Sequence, residues 1–292
     1  MLATRIGAYE IIRRVAAGAM SEVYEARDVR NGRQVAVKVL HREWCVEDTL
    51  VARFCNEARA LEEIRHPHII EIFGHGRLPD GVPFMLLEWL PFTLGHVLSR
   101  EGGMLAMPIA VRIASCISAA IAVMHERGVV HRDLKPANVL LSREDARIAE
   151  VKLADLGVAK LTAMRETEDQ RLSLSPVSTG GTDLLGTCEY MAPEQWIQSK
   201  SIDPKADVYA LGILLFQLLT GQLPFSATTQ QDLMCLHLFE KPPLQLLDAS
   251  AGWLVKDWIA RMLDKHPAQR PSMEEVTHWL TARTREYPLE SP

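Results

Sequence analysis

The chain has 292 residues, 48% hydrophobic and 24% charged, with a formal net charge of −5. Such a mixture describes a globular chain long enough for a sizeable core, in one large domain or two smaller ones. Mild acidity leaves no general basic surface, which disfavours nucleic acid as a partner, and five scattered cysteines (45, 55, 116, 188 and 235) without C-x-x-C spacing argue against a disulfide framework or a zinc site and suit a reducing cytoplasm.

No apolar run follows Met1-Leu2-Ala3-Thr4-Arg5, so no signal peptide is expected. Residues 9–16 and 22–29 read as strands around Ala17-Gly18-Ala19-Met20, and Asn31-Gly32 signals a hairpin before a third strand, 33–40. Asp48 is placed to cap a helix whose apolar positions Val51, Phe54, Ala58, Leu61 and Ile64 keep a helical period. Strands are expected over 69–73 and 82–87, and His66-Pro67-His68 reads as a helix-exit turn rather than a metal site. From Leu94 onward helices dominate, apart from short strands beside residues 131–138. The apolar stretches Met107–Met124 and Val208–Leu219 read as buried helices: Arg112 interrupts the first, and the second is shorter than the ~20 residues a bilayer needs. No membrane span is expected, and the tail beyond Ala282 should fray. The fold class is therefore α+β: a β-rich head with one helix over 8–90, a helical body over 91–283 joined to it near Glu88-Trp89-Leu90, and a short tail, 284–292. A cleft between two such lobes is a usual place for a ligand.

The densest chemistry is His131-Arg132-Asp133-Leu134-Lys135-Pro136-Ala137-Asn138, between Val129-Val130 and Val139-Leu140. It offers a carboxylate that can take a proton from an alcohol, a lysine that can hold a phosphate and an amide that can ligate a metal ion. Lys38 ends the alternating Val35-Ala36-Val37-Lys38, and Glu57 follows nineteen residues later, inside the expected helix. A strand lysine is ordinarily just solvent-facing. Paired with a helix glutamate, it would instead be aimed at a nucleotide's α- and β-phosphates. Seventeen residues past Asn138, Leu153-Ala154-Asp155-Leu156-Gly157 sets an aspartate after an apolar strand, where it suits Mg²⁺.

His131–Asn138 fits H-R-D-L-x-x-x-N, and with Lys38, Glu57, Asp155 and Ala192-Pro193-Glu194 in order, the chain resembles the eukaryotic-type (Hanks-type) protein kinases over about residues 8–282. Lys135 is similar to the serine/threonine members, and Leu219-Thr220-Gly221-Gln222-Leu223-Pro224-Phe225 to bacterial ones. The resemblance implies a bilobal kinase fold and transfer of the ATP γ-phosphoryl group to Ser/Thr hydroxyls of protein substrates. Asp133 would orient the hydroxyl and accept its proton, Lys135 would hold the γ-phosphate, and Thr187 would steady both while facing the substrate. Lys38, kept in place by Glu57, would anchor the phosphates, and Asn138 with Asp155 would hold Mg²⁺, or Mn²⁺ in its place. Adenine would lie against Val15, Val23, Ala36 and Leu140, beneath Leu87, with backbone groups of Glu88 and Leu90 as its hydrogen-bond partners. Asp207-Val208-Tyr209-Ala210-Leu211-Gly212 resembles the buried central helix of the body, and Arg270 the partner of Glu194.

The chain departs from the family in two places. The lid pattern G-x-G-x-x-G-x-V falls on Ala16, Gly18, Ser21 and Val23, so one glycine of three remains, and a nucleotide lid of reduced fit with weaker ATP binding is expected. Leu156 stands where Phe is commoner, and should stack with His131, Leu61 and Ile72 in an internal column without loss of activity. The loop from Asp155 to Glu194 is read as an activation segment. Arg132, Arg53 and Lys160 would form a basic pocket for an anion, supplied at a basal level by Asp183 and more strongly by phosphorylation of Thr179 or Thr182. A dimer would allow autophosphorylation between copies. Two rivals remain: a pseudokinase, favoured by the depleted lid, and a small-molecule kinase, disfavoured by Ala192-Pro193-Glu194 and the Asp207 helix.

Overall fold

The computed structural model describes residues 5–155, 188–197, 203–248 and 251–287. The chain divides after Leu90 into two compact units.

The first unit is built on strands β1 (Arg5–Ile6), β2 (Tyr9–Ala17), β3 (Ser21–Asp28), β4 (Gln34–Leu40), β5 (Ile72–Arg77) and β6 (Pro83–Glu88). They form one antiparallel sheet in the order β1-β2-β3-β4-β6-β5. Central strand β4 is buried from Val35 to Leu40 because both of its faces are covered. Val35, Val37 and Val39 enter a cluster with Ile6, Ala26 and Leu86, while Lys38, on the opposite face, reaches Glu57 of helix α1 (Asp48–Glu63), which buries Leu50, Phe54, Ala58 and Leu61.

Three expectations need correction. Strand β1 has two residues, too few to leave a periodic signal. Helix α1 is capped one residue earlier than expected: Glu47 stands at the cap and its carbonyl accepts the Leu50 and Val51 amides, so Asp48 lies in the first turn, where its charge suits the helix dipole. The strand expected at 69–73 starts at Ile72. Ile69 donates its amide to the His66 carbonyl, 3.0 Å away, so the buried pair Ile69-Ile70 fills the core from a turn.

The second unit carries a small sheet, β7 (Phe92–Thr93), β8 (Val139–Leu141) and β9 (Val151–Leu153). Around it are α2 (Leu94–Arg100), α3 (Met107–Glu126), α4 (Pro193–Ile197), α5 (Lys205–Thr220), α6 (Gln230–Phe239), α7 (Trp253–Met262) and α8 (Met273–Glu286). Apolar on all sides, α5 is the central helix and buries thirteen of its residues. Gly212 lets α7 approach it: a Cβ there would sit 3.0 Å from Met262 and Leu263. By length and composition α3 could cross a membrane, yet here it packs on α5 and α8, and its Arg112 donates to the carbonyls of Ala146 and Ala149. The fraying expected beyond Ala282 is corrected for residues 283–287, because α8 runs to Glu286, held by an Arg283–Glu286 ion pair and the Tyr287 amide on the Arg283 carbonyl; the rest of the tail lies outside the described residues.

Candidate active site

The loop 131–138 is fastened to α5 through one carboxylate. Asp207 is fully buried; its Oδ2 accepts from the His131 amide (2.8 Å) and from His125 Nε2 (2.7 Å), its Oδ1 from the Arg132 amide (2.8 Å). These bonds hold Arg132 at φ 68°, a left-handed conformation that costs a non-glycine residue about 1–2 kcal/mol. Burial opposes ionisation of Asp207, but the His125 hydrogen bond, the electrostatic influence of the His131 and His125 rings and the Arg132 amide outweigh it, leaving the pKa below the ordinary carboxylate value.

A depressed folded pKa means stability that is complete above the unfolded value, about 3.9, and lost as pH falls through the folded one. Asp207→Asn, which cannot satisfy all three donors, should cost roughly 2 kcal/mol near neutrality. Urea titrations from pH 7 to pH 3 should show a shallower acid loss in the variant than in the wild type; equal slopes would remove Asp207 as a source of acid sensitivity.

His131 reads its own tautomer from its neighbours. Its Nδ1 accepts from the Asp133 amide (3.3 Å), so Nε2 carries the hydrogen and donates to the Ala154 carbonyl (3.2 Å). The buried side chains of Asp133 and Asn138 then meet: Asn138 Nδ2 donates to Asp133 Oδ2 and to the Asp133 carbonyl, both at 2.8 Å. Lys135 Nζ lies 3.5 Å from the same Oδ2. With both amide hydrogens of Asn138 turned to Asp133, its Oδ1 is directed elsewhere. The Asn138 carbonyl accepts from the Ala154 amide at 2.9 Å, which brings Asp155 beside it at φ 55°. Two hard oxygen donors from adjoining segments suit a cation such as Mg²⁺, which takes few protein ligands.

In the first unit Lys38 Nζ and Glu57 Oε1 are 2.8 Å apart and buried. Strand register aligns Val23 opposite Lys38, Ala36 opposite Leu87 and Ala16 opposite Val23. Val15 is 41% exposed, whereas Ala36, Leu87 and Leu90 are buried. The Glu88 amide donates to the Glu71 carbonyl at 2.8 Å. Arg53 is half-buried on α1, and Leu140 lies on β8 opposite Thr93 and Lys152 in the second unit. Leu156, Gly157, Lys160, Thr179, Thr182, Asp183 and Thr187 lie outside the described residues.

Arg270 and Glu194 form a two-pronged ion pair, 2.7 and 2.8 Å. Beside it Gln195 accepts the Ala192 amide and donates to the Arg132 carbonyl (3.3 Å), tying the segment 192–195 to the loop 131–138. Sequence reading missed this contact and the anchoring role of Asp207. The second had a signal: an aspartate heading an otherwise apolar helix must find buried donors.

The protein kinase domain family matches residues 9–280. The chain is 34% identical to the serine/threonine-protein kinase pkn3 of Myxococcus xanthus over 92% of its own length and 48% of that protein's. It is 37% identical to Pkn1 of the same organism, over 92% of this chain and 37% of the relative, and 32% identical to PrkC of Bacillus subtilis, over 90% and 38%. The chain thus spans less than half the length of these relatives. It belongs to the protein kinase domain family, and the relatives it matches along nearly its whole length are bacterial serine/threonine-protein kinases.

Proposed function

We propose that the chain is an ATP-dependent serine/threonine protein kinase in which Asp133 orients the acceptor hydroxyl and takes its proton. The observation that carries this reading is the buried Asp133 carboxylate, fixed by Asn138 at 2.8 Å and faced by Lys135 at 3.5 Å on a loop anchored to α5. Family membership implies ATP and a divalent metal; Asn138 and Asp155 would hold Mg²⁺, which when bound neutralises phosphate oxygens. Lys135 holds the transferring phosphoryl group, and Lys38, kept extended by Glu57, anchors the α- and β-phosphates. Thr187 would steady Asp133 and Lys135 while facing the substrate, and the adenine would rest on Val15, Val23, Ala36, Leu87 and Leu140, bonded by backbone groups of Glu88 and Leu90. Such a site works by positioning and electrostatics, with little covalent work for the protein.

Regulation belongs to the same reading. Arg132, its backbone fixed by Asp207 and Gln195, would meet a phosphate on Thr179 or Thr182 together with Arg53 and Lys160, with Asp183 as a weaker substitute. A cytoplasmic setting, where ATP and reduced thiols coexist, fits the five free cysteines.

The test is incubation with γ-labelled ATP, Mg²⁺ and a Ser/Thr peptide library, with and without chelator, followed by mass spectrometry of the enzyme itself. Metal-dependent label on serine or threonine is expected, with phosphate on Thr179 or Thr182. ATP binding without transfer would make the chain a nucleotide-binding scaffold, and label on a small molecule alone would remove the protein substrate.

A further inference from the structure

The turn between β2 and β3 is held from outside its own hairpin. Three consecutive carbonyls, those of Gly18, Ala19 and Met20, accept hydrogen bonds from the segment that follows β4. His41 Nε2 reaches the Gly18 carbonyl at 2.8 Å, Trp44 Nε1 the Ala19 carbonyl at 3.0 Å, and the His41 amide the Met20 carbonyl at 2.9 Å. A carbonyl can only accept, so the His41 ring carries its hydrogen on Nε2. Trp44 lies in the 3-10 turn Arg42–Val46, and both side chains are half-buried.

Peptide planarity gives this arrangement a consequence. In a trans peptide the N–H points opposite to the C=O of the preceding residue. Tying the carbonyls of residues 18, 19 and 20 to one side therefore turns the amides of Ala19, Met20 and Ser21 to the other side, as a run of three. Consecutive amides on one side are what a phosphate group needs from a backbone.

Glycine does not set this geometry. Gly18 is absent from the glycines with positive φ, and a Cβ on it would make an ordinary 3.5 Å contact with the Ser21 carbonyl. Ala16 and Ser21 occupy the other two lid positions and lie in β2 and β3.

We propose that His41 and Trp44 are positioning residues for ATP: they clamp the lid carbonyls and so present the Ala19, Met20 and Ser21 amides to the phosphates, work that glycine flexibility does in a lid with three glycines. The proposal rests on the kinase reading above, and its test separates the two. Steady-state kinetics for ATP are compared in wild type, Trp44→Phe (ring kept, donor removed), His41→Ala, His41→Gln (an amide donor restored) and Glu43→Gln, an exposed neighbour on the same turn. Hydrogen exchange of peptides covering residues 16–22 is measured on the same proteins without nucleotide.

Loss of one clamp bond should raise the ATP KM roughly 3- to 10-fold in Trp44→Phe and His41→Ala, with kcat within about twofold. Exchange in the lid should be faster in both variants, the melting temperature unchanged, His41→Gln nearer to wild type than His41→Ala, and Glu43→Gln indistinguishable from wild type. A purely structural role would instead lower the melting temperature and kcat together. Unaltered ATP KM and lid exchange in Trp44→Phe overturns the clamp, whatever His41→Ala does. If the wild type neither binds nor turns over ATP, the kinase reading fails, while faster lid exchange in the variants would still support the clamp as what shapes the turn.

Discussion

Asp133→Asn is expected to slow phosphoryl transfer by roughly 10²- to 10⁴-fold, the range lost when a positioned general base is removed. The change is close to isosteric, and the asparagine oxygen can still accept from Asn138 Nδ2, now 2.8 Å from Asp133 Oδ2. The backbone contribution, Asn138 Nδ2 to the residue-133 carbonyl, is untouched. Fold and loop geometry should therefore survive, and the melting temperature should stay near that of the wild type. What disappears is the proton acceptor and the negative charge that faces Lys135 at 3.5 Å. ATP binding, which the reading assigns to Lys38 and the lid, should persist. Rates at saturating ATP together with ATP titration by calorimetry give the two numbers needed. A variant that kept more than about a tenth of the wild-type rate would show that Asp133 is not the base.

The contrast between that loop and its supports shows what a sequence can carry. Asp133, Lys135 and Asn138 stand within six residues, so their spacing already forces their side chains into one neighbourhood. Lys38 and Glu57 are nineteen apart, on a strand and a helix; alternation and helical period placed each element and suggested the pair, and the structure closes it to 2.8 Å. The strands β2, β3, β4 and β6 were legible to within a residue or two because apolar and β-branched runs are bounded there by turn residues such as Asn31-Gly32. Strand β5 was misread because Ile69-Ile70 has the composition of a strand while the His66 carbonyl bends it into a turn.

Supports from distant parts of the chain left weaker traces. Asp207 reaches His131 from 76 residues away, and Gln195 reaches Arg132 from 63. The clamp on the lid was invisible for another reason: it uses carbonyls, which every residue has, and two side chains, His41 and Trp44, that look like surface residues after a strand.

Arg270→Ala is expected to destabilise the second unit by about 3–5 kcal/mol, the cost of emptying a buried site and leaving its hydrogen-bond partners unpaired rather than the net worth of the ion pair. Arg270 is 2% exposed and its guanidinium has every branch engaged. Nη1 and Nη2 grip Glu194 at 2.7 and 2.8 Å; Nε donates to the Asp264 carbonyl at 2.8 Å; Nη1 also reaches the Lys205 carbonyl at 2.9 Å and Nη2 the Lys265 carbonyl at 3.3 Å. The Tyr209 ring lies under the guanidinium carbon at 4.9 Å. Alanine would leave a carboxylate and three carbonyls without these donors, and a hole where the side chain was. Lysine should rescue little, since one ammonium cannot reproduce a planar fork. Glu194→Gln keeps an acceptor for one prong only and sets its amide NH2 against the other, and should cost less than Arg270→Ala, about 1–2 kcal/mol. The decisive comparison is the double variant Arg270→Met with Glu194→Leu: because it strands neither partner, its loss should fall well short of the sum of the single ones. Urea unfolding followed through the tryptophans of this unit, Trp196, Trp253, Trp258 and Trp279, measures all four variants. A loss below about 1 kcal/mol in Arg270→Ala would reduce the pair to the standing of an exposed surface bridge.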